Sequence, residues 1–581
     1  MRDGRQTVRI GGAAGFWGDS ALGARQLLEG GDLDYLVFDY LAELTMSLLA
    51  GARRKQPELG YATDFIDVMR DVLGDALARG VRVVANAGGI NPHGCASALR
   101  ALAAEQGLAP RIAVVEGDDV LPQLPALRAD GLALPANVLS ANAYLGALPI
   151  RAALDGGADV VITGRCVDSA VTLGPLLHEF GWAADDYDRL AGASLAGHLI
   201  ECGCQGSGGL FTDWESVPDW ANSGYPVVEC RADGSFELGK PDGTGGLVSP
   251  ASAAEQLLYE IGDPARYVLP DVVCDFRAVT ISASGPQRVL VQGARGSAPT
   301  PTYKVSATYA DGFRCAAQLT IVGHDAGRKA RRTAAAILER TRAMFARAGL
   351  ADYSATHTDV LGEQDGFGRA VLWLAVAHPQ RAALELFARE IAPAATSWAP
   401  GTTGFGGRPA VTPAIKQHAF LLGKERVQPR VHLPDGSTVQ PAIPAGQAAL
   451  YQAQDQAPGE AAPQPAGGGR RVALLELAWA RSGDKGDVSN IGVIARDPAD
   501  LPLLRAQLTA EAVAAHLAGY VQGTVTRYEV PGIHAFNFVC EQALGGGGMA
   551  SLRHDPLGKG MAQLLLAMPV AVPDDFTSRR T

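Results

Sequence analysis

The segment TGRCVDSA, residues 163–170, places Arg165 and Asp168 directly after the apolar run of GADVVI. A guanidinium there can clamp a carboxylate or phosphate through paired N–H donors. Asp168 can orient that clamp or accept a proton, and a plain Arg–Asp pair is the structural alternative. In NAGGINPHG, residues 86–94, Asn86, Asn91 and His93 follow another apolar run, with glycines that allow a ligand close approach. An imidazole titrates near neutrality and suits acid–base work, although His93 could equally cap the helix that follows. GHLIECGCQGSGG, residues 197–209, gathers His198, Glu201, Cys202, Cys204 and Gln205. A CxC beside HxxE lacks the second half of a structural zinc site, so no metal is expected. A thiol nucleophile needs a base and a lowered pKa, which leaves His198 and Glu201 as the acid–base candidates and Gln205 as a substrate contact.

Further binding candidates sit on other glycine-rich turns. GGAAGFWGDS near the start offers backbone N–H groups around Gly15 to an anion, with Asp19 as a partner or helix cap; its spacing matches neither a dinucleotide fingerprint nor a Walker loop. KPDGTGGLVSP, residues 240–250, supplies Lys240 and Thr244, then Ser249–Pro250 as a helix start. SWAPGTTGFGGRP ends in Arg408 and has the composition of a lid or a surface crossover. The densest polar string is ARSGDKGDVSNIGV, residues 480–493, with Arg481, Asp484, Lys485 and Asn490. A lysine between carboxylates can be an acid–base group or an anion clamp, or can simply pair with them. GGGGMASLRHDPLGKG, residues 545–560, adds Arg553 and the ingredients of an anion nest.

Short apolar runs alternating with helical segments up to about residue 262 indicate βαβ units and a parallel sheet, whose ligands gather beyond the carboxyl ends of the strands. The expected fold is therefore α/β. A large N-terminal body (residues 1–451) joins a mainly parallel part (1–262) to an α+β part (263–451). In the latter, Tyr303–Tyr309 and Phe313–Val322 flank Ala310-Asp311-Gly312 as a predicted hairpin. An Ala/Pro/Gly linker (452–469) leads to a small C-terminal domain (470–572), whose strand and helix order fits a ferredoxin-like sandwich, with residues 480–490 read as a loop.

Apolar residues make up 47% of the 581 and charged residues 19%, enough for a sizeable core, and the net charge is −11. Without a compensating basic stripe, nucleic acid and anionic membrane are disfavoured as partners. The first ten residues hold no apolar signal region, no run approaches the roughly 20 apolar residues of a membrane helix, and eight cysteines in this length form no disulfide framework. A cytoplasmic protein is expected. A homo-oligomer is the expectation from base rates.

Taken together, GFWGDS, NAGGINP, GADVVITGR, GHLIECGCQGSGG, DGTGGLVSPASAAEQLLYEIGDP, YVLPDVVCDF and TYKVSAT resemble the acyclic terpene utilisation (AtuA) family. The tail ARSGDKGDVSNIGV…YEVPGIHAFNFV…GGGGMASLRHDPLGKG resembles that family's ferredoxin-like C-terminal domain. The resemblance implies catabolism of acyclic terpenes or branched acids through acyl-CoA thioesters and carries over no catalytic residue; the titratable groups on the strand-end loops point to hydratase, lyase or hydrolase chemistry on such a substrate. The sequence requires no cofactor, and the CoA moiety would come with the substrate. The other reading is a non-catalytic component that docks on acyl-CoA carboxylase or dehydrogenase enzymes.

Overall fold

The computed structural model describes residues 6–362, 366–448 and 470–580, so the expected linker lies outside the described residues. The first part of the chain builds strands β1 (Thr7–Gly12), β2 (Tyr35–Phe38), β3 (Arg82–Ala85), β4 (Ile112–Glu116), β5 (Val138–Ala143), β6 (Val160–Thr163), β7 (Val227–Arg231) and β8 (Phe236–Gly239). In the principal sheet, β1, β2, β3, β6 and β4 run side by side and parallel. Side chains alternate across it: Tyr35 and Val37 enter one core with helices 148–155, 170–180 and 187–200, while Leu36 and Phe38 enter the other with helices 22–30, 64–79 and 92–105. Burial on both faces explains why these strands read as unbroken apolar runs.

The expectation of a mainly parallel sheet is corrected by the wings. β7, β8 and residues 280–292 extend one edge antiparallel, and residues 430–432 and 438–439 extend the other. The parallel centre is thus a minority of a mixed, largely antiparallel set. The cause is return of the chain: hairpins and late segments join the edges without the crossover helices that parallel pairing requires.

The second large sheet is organised by one strand, Thr302–His324, which pairs with 412–423, 367–378 and β5. The predicted hairpin at Ala310-Asp311-Gly312 does not form. These residues make a bulge, with the register shifting between Ala310 and Phe313 and Gly312 at φ 77°. Partners on both sides hold the two halves in line, and the extra residues bend the strand instead of reversing it.

In the C-terminal domain a four-stranded antiparallel sheet runs in the order 478–485, 488–495, 535–540, 525–530. Helices 501–507, 510–516 and 561–566 pack their apolar faces on it. The stretch read as a loop is a hairpin: Lys485 pairs with Val488 across a Gly486-Asp487 turn, with Gly486 at φ 65°. Polar residues occupy these strands because this face of the hairpin packs on the body. Arg496 forks onto Asp213 with two bonds of 2.6 Å, and Trp479 Nε1 donates to the same carboxylate at 2.6 Å. Trp373 Nε1 donates to the Leu552 carbonyl at 2.8 Å, tying the second sheet to the same domain.

Candidate active site

Loops leaving the carboxyl ends of β2, β3 and β6 converge. At the end of β2, the buried Asp39 accepts a short hydrogen bond from Asn86 Nδ2, which follows β3; Asn86 Oδ1 accepts the Tyr40 N–H at 2.7 Å. After β6, Arg165 Nη1 donates to the Leu41 carbonyl at 2.7 Å and to Asp168 Oδ1 at 2.9 Å, with its guanidinium 4.2 Å from the Tyr144 ring centroid. The Tyr144 hydroxyl donates to Glu43 Oε1 at 2.6 Å, and Gln417 Nε2 reaches the same oxygen at 3.1 Å. Lys304, from the long strand of the second sheet, stands 3.8 Å from Glu43. Three successive strand ends and the neighbouring sheet therefore deliver one continuous set of charges.

The C-terminal domain closes this set from the other side. Lys485 lies 3.4 Å from Glu260 Oε2, and Lys559 lies 3.4 Å from Glu260 Oε1 and 3.1 Å from Asp484. The charge of Lys485 is also felt at Glu43, Glu201, His198 and Tyr267. Lys485 keeps 45% of its side chain open to solvent and Lys304 keeps 40%, although groups from both domains surround them. These half-open ammonium groups and the carboxylates they face define one region reached by solvent, the hollow. Glu260 itself holds φ 59°, an uncommon conformation for a side-chain-bearing residue, fixed by the Asn490 Oδ1 acceptor at 2.9 Å from its N–H.

Proton affinities within the hollow are pulled apart. Burial raises the Asp39 carboxyl well above its ordinary range, and neighbouring Asp168 adds to this against the pull of Arg165. Burial also favours protonated Glu43, but Lys304 and Arg165 outweigh it and bring the carboxyl down to about 2. Burial, seconded by the charge of Glu260, pushes Asp484 up to about 6 despite Lys559. His198 sits between two acceptors, with Nε2 3.2 Å from the Leu257 carbonyl and Nδ1 3.1 Å from Glu201 Oε1. Because the carbonyl only accepts, Nε2 carries a hydrogen, and Nδ1 shares a second proton with Glu201. Burial favours neutral imidazole, yet Glu201 overrides it and raises His198, while burial raises Glu201. Burial and nearby carboxylates push the Cys202 thiol far up, so it is no thiolate.

Of the residues singled out from sequence, Asn86, Arg165, Asp168, His198, Glu201, Asp484 and Lys485 belong to this assembly. Gly15 and Asp19 stand behind it: a side chain on Gly15 would meet the Cys202 backbone at 2.6 Å, and Asp19 accepts from Gly15 N and the Tyr225 hydroxyl. Arg481 is committed to the domain interface, donating to Glu255, Gly209 and Gln205. Asn490 is committed likewise, donating to the Leu258 carbonyl and Asn537. Asn91 caps helix 92–105, and His93 in that helix contacts Glu116 at 3.0 Å. Lys240 and Thr244 bond to each other and line a separate cleft of about 240 Å³ with Arg288. Arg553 donates to backbone carbonyls of Tyr520 and Ala543, and Arg408 is exposed. Glu43, Tyr144, Glu260 and Lys304 join the site without a glycine-rich turn of their own: Glu43 opens a helix, Tyr144 and Glu260 lie in short connections, and Lys304 sits in the long strand.

A sequence model of the family described as acyclic terpene utilisation family protein AtuA matches residues 8–433. The chain belongs to the AtuA family. A second match, to the AtuA ferredoxin-like domain, covers residues 472–571, so the hollow of this AtuA family member draws on both family regions. No curated protein matches the chain. No helix among the described residues is long and apolar enough to cross a membrane.

Proposed function

We propose that this hollow is the active site of an enzyme of acyclic terpene or branched-chain acid catabolism, moving protons on an acyl-CoA thioester in hydratase or lyase chemistry. One observation carries the reading: Lys485 of one domain stands among carboxylates of the other while remaining open to solvent. A cation so placed can hold a thioester carbonyl or a carboxylate as negative charge builds on it. The His198–Glu201 pair and Asp39, whose carboxyl burial makes hold its proton more tightly, offer a base and an acid within the same set of interacting charges. In a hydration, a base takes a proton from water as its oxygen bonds to carbon, and an acid returns a proton to the neighbouring carbon, so the balance closes with no further reactant. With the Cys202 thiol protonated, covalent thiolate hydrolysis is the less favoured member of the class. The family's link to terpene utilisation supports branched acyl chains as substrates.

The test is to incubate the full chain with saturated, 2,3-unsaturated and 3-hydroxy branched acyl-CoAs in deuterated water. Loss or gain of the conjugated thioester absorbance, with deuterium entering the acyl chain, is the expected result. Absence of turnover and exchange across the panel, together with co-purification of an acyl-CoA carboxylase or dehydrogenase, would replace this reading with that of a non-catalytic partner.

A further inference from the structure

On the far edge of the parallel centre, away from the charges of the hollow, His93, Glu116 and His432 form a separate cluster. His93 Nε2 lies 3.0 Å from Glu116 Oε2, and His432 Nε2 lies 2.9 Å from Glu116 Oε1. The candidate ligand atoms all fall within 4.8 Å of one another, and the two imidazole rings meet edge to face at 4.7 Å. We propose that these three side chains form a binding site for a divalent transition-metal ion of the zinc class.

Several features fit. Nitrogen and oxygen ligands at about 2.0–2.2 Å from one ion are separated by roughly 3 Å at near-tetrahedral or octahedral angles, the spacing already present in each His–Glu contact. The whole set lies within 4.8 Å, so small side-chain rotations would bring both imidazoles to one ion. Two imidazoles and a carboxylate are a donor set for zinc or ferrous iron rather than magnesium or calcium. His432 is steadied by a contact of 3.1 Å between its Nδ1 and Thr438 Oγ1, the outer-shell bond that aims Nε2 at an ion. The ligands come from three elements: helix 92–105, β4 and the edge strand 430–432. An ion would thus tie a late segment of the family body to the parallel centre. His93 is half-exposed, so an ion held by the three side chains would be within reach of solvent.

Arg430 argues for modest affinity. Its guanidinium sits 3.0 Å from Glu116 Oε1 and already answers the carboxylate charge, in competition with a cation. That competition separates a metal site from a simple His–Glu–His hydrogen-bonded triad. The metal-stripped full chain is titrated with Zn²⁺ alone by calorimetry and with Co²⁺ alone by visible absorption. Expected are one equivalent bound, a rise in thermal midpoint with Zn²⁺ and Co²⁺ bands without thiolate charge transfer. The variants H93A, H432A and E116Q should each lose about tenfold or more in affinity, a range known for weakened metal shells. R430Q should bind more tightly than the parent. The proposal is overturned if the folded parent takes up neither ion. It is equally overturned if the H93A/H432A double variant binds as the parent does, or if R430Q weakens binding as much as E116Q. A thiolate-to-cobalt band would move the ion to Cys202 and Cys204 and likewise reject the triad.

Discussion

Arg481 and Lys485 are four residues apart on one strand of the C-terminal domain, and the structure gives them opposite tasks. Arg481 is 5% exposed against a Glu255 at 0%, and its donors go to Glu255, Gly209 and Gln205. Lys485, at the hairpin end, is 45% exposed and meets Glu260 at a loose 3.4 Å. The strand thus enters the interface with a saturated anchor and leaves it with a cation still able to meet a ligand. Charged residues in one short motif divide into holding and working groups by where the strand emerges from protein, not by their type.

The largest effect is expected at Lys485. Replacing Lys485 by methionine keeps an unbranched, nearly as long side chain and removes the charge. Where one preorganised electrostatic contact is removed, kcat falls by about a hundred- to a thousand-fold, and K485R should recover part of it. Unfolding by denaturant should stay a single transition for both variants. A K485M variant with the parent's turnover on every accepted acyl-CoA would erase the distinction between the two residues.

At the anchor the expected effect moves from rate to stability. R481M leaves Glu255 buried without its cation, a loss of about 3–5 kcal/mol. Because the pair spans two domains, unfolding should split into two transitions, read by denaturant titration. Adding E255Q removes the stranded charge, so the R481M/E255Q double variant should regain much of the loss. A single, unshifted transition in R481M would mean that Arg496–Asp213 and the asparagines carry the docking alone.

Asn490 sharpens the anchor further. Its Oδ1 accepts from Glu260 N–H, and its Nδ2 donates to Leu258 and Asn537. N490A strands these buried partners at a cost of about 1–3 kcal/mol. It also frees the left-handed turn at Glu260, so KM for a bound acyl-CoA should rise while R481M, in its folded fraction, leaves KM nearer the parent.

The division between legible and hidden parts follows the same logic. Asn86, Arg165 and Asp168 could be placed at a shared rim because apolar runs ending in glycine-rich turns reveal strand ends. Lys304 could not, since it reaches the hollow through pairing of the long strand with β5 and residues 412–423, and Glu43 opens a helix as an ordinary first-turn acid with no glycine turn beside it. Arg481, Asn490 and Gln205 looked like ligand contacts because sequence shows charge and polarity but not burial by a second domain. Two glycine turns behave in opposite ways. Residues 310–312 carry a turn signal yet lie in a strand held on both sides. Gly486-Asp487 turns because its flanking residues find partners in each other and in the body. The parallel centre likewise hides its edges: they are formed by short hairpins at 227–239, 280–292 and 430–439, whose attachment to the sheet joins segments distant in sequence, beyond the reach of local periodicity.

The smallest expected effect separates two carboxylates of the hollow by pH. Glu43 falls to about 2 from an ordinary 4.5, because Lys304 and Arg165 prevail over burial. The folded chain therefore binds this proton more weakly than the unfolded chain. Its stabilising contribution is present above pH 4.5 and lost as pH drops towards 2. With 31% of the side chain exposed, screening reduces this to about 1 kcal/mol. Asp484 is opposite: burial and Glu260 lift it from 3.8 to about 6, so the folded chain holds the proton more tightly. Stability drains away as pH rises between those values and is level above 6. Stability curves from pH 3 to 7 should accordingly lose acid sensitivity in E43Q and lose the decline towards pH 6 in D484N, with the parent showing both trends superposed. If D484N instead steepens that decline, Lys559 holds Asp484 ionised, and the carboxylate belongs with the anchors.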